Sequence, residues 1–365
     1  MTSMLHDLPL EQKIGQLFFI GIPGPALDDE TRSLLDDVSP GGICLFARNI
    51  REAKQTRELL DSLSEYLGNP LLSIDQEGGL VDRLRRVMTP MPAASKLRDA
   101  DDAKRLGTIV AEALNIFGFN MDFAPVVDVV NEERANHPNG LFSREFGRSK
   151  EDVALMAEAF VEGLQTRGIL NCLKHFPGLG AARVDSHEVL PEVAISERVF
   201  EETDLYPYRE MLGAADSVMI GHQAYPELSL QETDQNGRLL PSSMSRNVVT
   251  SLLREQLAYD GLAISDDLEM GAVIKNYGIG DACKMAVNAG CDMLAICADP
   301  QAIRTGFRAV LAAVRDGGIT EGRIDSSVER ISSAKAKVTP PCVFDSVRIS
   351  QLSGDIAAFN SELSG

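Results

Sequence analysis

The chain has no excess of positive charge: 35 Lys and Arg stand against 54 Asp and Glu in 365 residues, a formal net charge of −19. Nucleic acid and anionic membrane both ask for a basic face, so neither is expected as a partner, and the charge reads as solubility. No apolar run is long enough to span a bilayer. The opening residues, MTSMLHDLPLEQKIGQLFFIG, lack a basic segment followed by an apolar one, so no secretory signal is expected. Cysteine is scarce at six residues, with no CxxC, and Cys44, Cys172, Cys291 and Cys297 sit in apolar runs. Buried free thiols in a reducing cytoplasm are therefore expected, and a disulfide scaffold or zinc site is not. The five histidines show no HExxH spacing, so no metal is expected. No GxGxxG or GxxxxGK[ST] follows an apolar run, which removes the usual signs of a nucleotide cofactor, and none is expected.

What the chain does have is alternation. Short β-rich runs recur at residues 17–22, 42–46, 70–75, 120–129, 169–175, 217–222, 261–266 and 292–296. Between them lie longer stretches such as REAKQTRELLDSLSEYL and DAKRLGTIVAEALNIFG, whose apolar residues recur at helical spacing and several of which end at Gly. Eight strands alternating with eight helices predict an α/β chain with a parallel sheet, closed as a (β/α)₈ barrel, with an open doubly wound sheet as the other possibility. No linker or low-complexity stretch interrupts the pattern. Residues 1–339 are expected to form one barrel domain and 340–365 a tail packing on it.

In such a barrel, function gathers on the loops after the strands. Charged residues stand there repeatedly: Asp75 after the third run, Asp128 after the fourth, Lys174 and His175 at the end of the fifth, His222 after the sixth, Asp266 and Asp267 after the seventh. Each has an ordinary structural reading. Asp75 or Gln76 would cap a helix, with Gly78–Gly79 as the turn; Asp185 would clasp backbone N–H groups; the Asp266–Asp267 pair would cap the next helix. The functional readings give Asp75 and Arg83 the task of holding sugar hydroxyls, and Lys174 and His175 that of donors at a pocket base. Asp185 and His187, projecting alike from an extended loop, would form a carboxylate-oriented proton carrier, and Asp266 is a candidate nucleophile. His6 and His137 read as surface or loop residues.

Together these stretches resemble a known family. KHFPGLGAARVDSH resembles the K-H-F/I-P-G-x-G-x(4)-D-S-H signature of the bacterial β-N-acetylglucosaminidases of glycoside hydrolase family 3. SIDQEGGLVDRLR is similar to that family's D-Q-E-G-G-x-V-x-R stretch, SREFG to its R-x-F segment, and YDGLAISDDLEMGAV to its nucleophile segment. The likeness runs from EQKIGQLFF to about SSVERI. It implies Asp266 as nucleophile and His187 as general acid/base partnered by Asp185. It also implies Asp75, Arg83, Arg144, Lys174 and His175 as the residues that hold an N-acetylglucosamine ring. Leu179, Ala181 and Leu80 depart from the family's usual His, Asp and Arg; the first two bear on loop closure or aglycone preference.

The resemblance fits the chemistry of the residues. A retaining glycosidase needs a carboxylate nucleophile and a group that first protonates the leaving oxygen and then activates water. An imidazole, with an ordinary pKa of ~6.5, is matched to neutral pH without the burial a glutamic acid would require. The expected protein is thus a cytoplasmic exo-β-N-acetylglucosaminidase acting on small peptidoglycan-derived carbohydrates. A β-glucosidase or a phosphorylase of the same family, or a non-catalytic sugar-binding barrel, are the alternatives.

Overall fold

Strands buried on both faces read as continuous apolar runs, because helices cover the outer side of a parallel sheet. Each of the eight runs carries such a strand in the computed structural model, which describes residues 7–365; His6 lies outside the described residues. The strands are β1 (Phe18–Gly21), β2 (Gly42–Leu45), β3 (Leu71–Ile74), β4 (Met121–Asp122), β5 (Cys172–Phe176), β6 (Ser217–Ile220), β7 (Leu262–Ser265) and β8 (Leu294–Ile296). They pair in parallel in two arcs, β8–β1–β2–β3–β4 and β5–β6–β7. Single parallel bridges join the arcs at both seams, Met121 to Leu170 and Val126 to Lys174 on one side, Ile264 to Met293 on the other. The α/β architecture expected from the alternation is thus present, with all eight strands in one ring of pairings.

The ring departs from the expected boundaries where local chemistry intervenes. The run at 120–129 pairs as a strand only over Met121–Asp122. Pro125 follows and has no N–H to give to a ladder. After β3 no helix is capped by Asp75 or Gln76. The chain instead makes a small antiparallel hairpin, Gln76–Gly78 with Val81–Asp82. Gly78 and Gly79 turn it at φ of +89° and +59°, a region open to glycine. The Gln76 side chain closes it by accepting from the Arg83 and Leu84 N–H groups and donating to Asp82.

The helices bury one apolar stripe each against the ring, as Leu59, Leu60 and Leu63 do in the helix Ala53–Leu67. Asp99 and Ser149 cap the helices Ala100–Phe117 and Lys150–Gln165 by accepting from backbone N–H groups. The expected helix between β5 and β6 is broken into Glu197–Val199, a π-helical turn Phe200–Asp204 and Tyr206–Met211. Residues Ser346–Ser364 form a 19-residue helix. It lies against Ala100–Phe117 through buried Ile349, Leu352, Ile356 and Phe359 and a paired Arg348–Glu112 contact of 2.7 and 2.9 Å. All six cysteines are free and five are buried. No described helix is long and apolar enough to cross a membrane.

Candidate active site

At the C-terminal ends of the strands lies a cavity of about 190 Å³ whose lining includes every site residue named from the sequence: Asp75, Arg83, Arg144, Lys174, His175, Asp185, His187 and Asp266. Two larger clefts open at the opposite end of the ring, among residues preceding the strands. Those have no comparable convergence of charged groups.

The cavity floor is an interlocked ion network. Lys174, at 2% exposure, reaches from β5 to Asp75 at 2.8 Å and Glu77 at 2.6 Å. Both oxygens of Glu77 also accept from one edge of the Arg144 guanidinium, Nε at 2.8 Å and Nη2 at 2.9 Å. Arg83 approaches Asp75 at 3.5 Å, and its Nε is buried with no hydrogen-bond partner among the described residues. Burial alone would push the Asp75 and Glu77 carboxyls up. Lys174 outweighs it together with Arg83 at the first and with Arg144 at the second, and both are held below their ordinary range. Three cations thus face two carboxylates on this floor, while the carboxyl groups of Asp185, Asp266 and Asp267 line the same cavity. Deeper still, Asp122 holds the Gln76 N–H, and burial pushes its carboxyl up to about 8.

Glu77 was not among the residues singled out from the sequence. Its signal was there: in an extended stretch, side chains two apart share a face, so Asp75 and Glu77 project together.

His175 is held differently from a free pocket donor. Its Nδ1 lies 2.7 Å from Asp128, which also accepts from the backbone N–H of His175 at 3.2 Å and of Leu179 at 2.6 Å. Asp128 is therefore a buried clasp at the root of the loop after β5. Leu179 lines the cavity with its side chain while its N–H makes that clasp.

Further along the same loop, Asp185 accepts from the backbone N–H of His187 at 2.9 Å, and His187 Nδ1 lies 2.7 Å from the same oxygen. The clasp and the proton-carrier geometry expected of this triplet coexist. The loop is a tight turn and not an extended strand, since Glu188 and Val189 N–H both donate to the Asp185 carbonyl. Burial pushes the Asp185 carboxyl up, but the His187 N–H and imidazole and Arg144 outweigh it and hold it low. The dyad is thus built of a stable carboxylate and an imidazole at the cavity mouth.

Asp266 follows β7. Its N–H donates to Ile220 O at 2.8 Å, and its Oδ1 accepts from the Asp267 N–H at 2.8 Å, leaving Oδ2 for the cavity. The expected capping role fails: the short helix Gly271–Ile274 has Met270 at its N-cap and no side-chain cap. Asp267 instead accepts from Glu269 N–H at 3.0 Å, and burial pushes its carboxyl up to about 7. His222 is buried behind this turn, with Nε2 3.0 Å from the Asp267 carbonyl and Nδ1 2.8 Å from Ser243 Oγ. Among the described residues no cluster of His, Cys, Asp and Glu is arranged to hold a metal ion.

Comparison with known proteins places the chain in a family. The family model described as the glycosyl hydrolase family 3 N terminal domain matches residues 9–334. A beta-hexosaminidase of Pseudomonas aeruginosa is 35% identical over 303 residues, 81% of this chain and 85% of that protein. One from Tolumonas auensis is 33% identical over 81% of this chain and 86% of its own length. A family 3 β-N-acetylglucosaminidase structure from Paenibacillus superposes with a TM-score of 0.86 at 33% identity, over 96% of this chain and 69% of that one. A β-N-acetylhexosaminidase from Beutenbergia cavernae gives 0.81 at 29% identity, over 90% and 99%. With a model match spanning most of its length and relatives at this identity, the chain belongs to glycosyl hydrolase family 3 and is a glycoside hydrolase.

Proposed function

We propose that the chain is a retaining exo-β-N-acetylglucosaminidase. The observation that carries this reading is that one cavity gathers a strand-tip carboxylate (Asp266), an Asp–His dyad and a cluster of cations and carboxylates suited to sugar hydroxyls. The cavity is closed below by the strand tips, which suits a chain-end residue rather than an internal one. Met219, Met270 and Phe123 add apolar surface to its lining, against which an acetamido methyl could pack.

The sequence of events follows from the groups. Asp266 attacks the anomeric carbon from below, forming a carbon–oxygen bond. The bond to the aglycone oxygen breaks as His187 transfers its Nε2 proton to it, so that the aglycone leaves as an alcohol. The imidazole, now neutral, takes a proton from water as that water displaces Asp266, restoring both groups. Asp185 fixes the ring orientation and tautomer by accepting from its Nδ1–H, which leaves Nε2 as the atom that carries the transferred proton. Asp75, Arg83, Arg144, Lys174 and His175 hold the ring of the bound sugar through charge-assisted hydrogen bonds. Asp267 is the rival nucleophile, but its burial keeps part of it protonated near pH 7.

Small muropeptide fragments of peptidoglycan meet the requirement for a soluble substrate with a terminal β-linked N-acetylglucosamine. The free cysteines are compatible with the reducing cytoplasm in which recycling would occur. A second reading, transfer to phosphate, is favoured by the imidazole itself, because it does not repel an anion as a second carboxylate would. Turnover of p-nitrophenyl N-acetyl-β-glucosaminide against the β-glucoside, with and without phosphate, tests these readings. Preference for the glucoside contradicts the first; formation of a sugar phosphate selects the second; inactivity on both leaves a binding barrel.

A further inference from the structure

The loop that carries His187 is fastened at two backbone points, and both belong to the segment that carries Asp266. Gly271 N–H donates to the His187 carbonyl at 3.1 Å, and Ala272 N–H donates to the Ser186 carbonyl at 3.2 Å. Ser186, between the members of the dyad, is 4% exposed.

The fit depends on a missing side chain. A Cβ at Gly271 would lie 2.7 Å from the His187 carbonyl oxygen and nearer still to that of Glu188, both backbone atoms with no flexible end to move aside. Gly271 is the first residue of its short helix and is not in the left-handed region, so its own backbone tolerates alanine. The steric demand comes from the loop alone. On the other side the dyad passes over Gly140, where a Cβ would stand 2.9 Å from Asp185 Oδ2. The turn 185–187 is therefore seated between two bare backbone positions.

We propose that Gly271 is a positioning residue for proton transfer: by admitting the loop against the nucleophile's own segment, it sets the reach of His187 toward the bond that Asp266 attacks. This rests on the reading of His187 as the proton carrier. Only four residues separate Asp266 from Gly271, so the spacing between the attacking carboxylate and the imidazole is fixed within one short stretch of chain. Retaining enzymes work with their two groups about 5–5.5 Å apart, and a displacement of about 1 Å is enough to cost on the order of a hundredfold.

The test uses the full chain and substrates of unequal leaving group. Protonation matters for N,N′-diacetylchitobiose and little for p-nitrophenyl N-acetyl-β-glucosaminide, and kcat/KM reports the glycosylation step for each. Gly271→Ala is expected to lower kcat/KM for the disaccharide by roughly 10- to 100-fold, a share of what positioned proton transfer supplies, while the aryl glycoside changes by less than about threefold. Trypsin should cut after the exposed Arg183 faster in the variant, because the loop is unseated. Gly278→Ala is the control: that glycine is also at a helix start and has open space around its Cα, so it should behave as wild type. Ala272→Pro, which removes the N–H that holds the Ser186 carbonyl at a first-turn position of the helix, is measured in parallel, so that a folding failure of one variant leaves the other. Wild-type rates and wild-type cleavage in Gly271→Ala would overturn the proposal, as would equal losses on both substrates. His187→Ala separates this from the reading beneath it. A split loss there beside an unaffected Gly271→Ala overturns the proposal alone; an unsplit loss overturns the reading and the proposal together.

Discussion

The molecule holds two aspartate–histidine pairs with the same 2.7 Å contact: Asp128–His175, between the segment after β4 and the end of β5, and Asp185–His187, on the loop after β5. In the first, the histidine and aspartate side chains are 8% and 0% exposed; in the second, 71% and 34%. Asp128 spends both oxygens on three N–H groups and anchors the loop's root. Asp185 serves one residue and leaves its imidazole in solvent at the cavity mouth. The shared bond therefore says little about role. Burial and the number of other obligations decide it: the inner pair anchors the loop and fixes His175 in place at the cavity, and the outer pair is able to exchange protons with water and substrate.

Substituting the two pairs should separate these roles, and the largest effect belongs to the outer one. His187→Ala should reduce turnover of a natural disaccharide by about 10²–10⁴-fold, the usual contribution of a positioned acid/base. It should spare glycosylation by an activated aryl glycoside, with azide partly restoring turnover as an alternative acceptor. Asp185→Ala should show a milder form of the same split, with the larger loss on the disaccharide. Equal losses on both leaving groups, measured by kcat/KM, would move proton transfer away from this pair.

Asp128→Ala should act on stability instead. Removing the acceptor strands a buried imidazole and two buried N–H groups, and a denaturation curve should show a loss of about 3–5 kcal/mol. The same change at Asp185, an exposed pair, should cost about 0–1 kcal/mol. Similar losses at the two sites would erase the distinction between them.

On the cavity floor, Arg83→Ala should lower kcat/KM for every leaving group alike, by roughly 10- to 100-fold, since a hydrogen bond to a charged group is worth about 1.5–3 kcal/mol. An effect confined to one aglycone would place Arg83 outside the sugar pocket. The smallest effect concerns pH. Asp122 is raised by burial from 3.8 to about 8, so the folded state keeps a proton that the unfolded chain gives up near pH 4. Its contribution is complete below about pH 4 and is lost as pH rises through about 8. Asp122→Asn keeps the shape without the proton, and should flatten the fall in the urea midpoint between pH 5 and pH 8. An unchanged slope would count against a protonated Asp122.

Much of this was legible in the sequence because barrel strands advertise themselves. Ile43, Leu72 and Val218 are buried whichever way they point, so their runs are apolar throughout. The site was legible because charged residues interrupt those runs at their ends. What escaped reading was decided by tertiary partners. The role of Asp128 as a clasp depends on Leu179, 51 residues away. The hairpin after Asp75 depends on one glutamine side chain bonding across a turn. The helix Ser346–Ser364 was read only as a tail, although Ile349, Leu352, Ile356 and Phe359 recur at helical spacing. Its apolar stripe is interrupted by Ser353 and Gly354 and makes sense only against the helix it covers.

The central claim is a division of labour in which Asp266 forms the covalent bond and His187 moves the proton. The most direct measurement is to trap the intermediate with a 5-fluoro N-acetylglucosaminyl fluoride and map the labelled peptide. The label is predicted on Asp266, and Asp266→Asn should abolish labelling along with several orders of magnitude of kcat in a folded protein. A label on Asp267 would contradict the assignment.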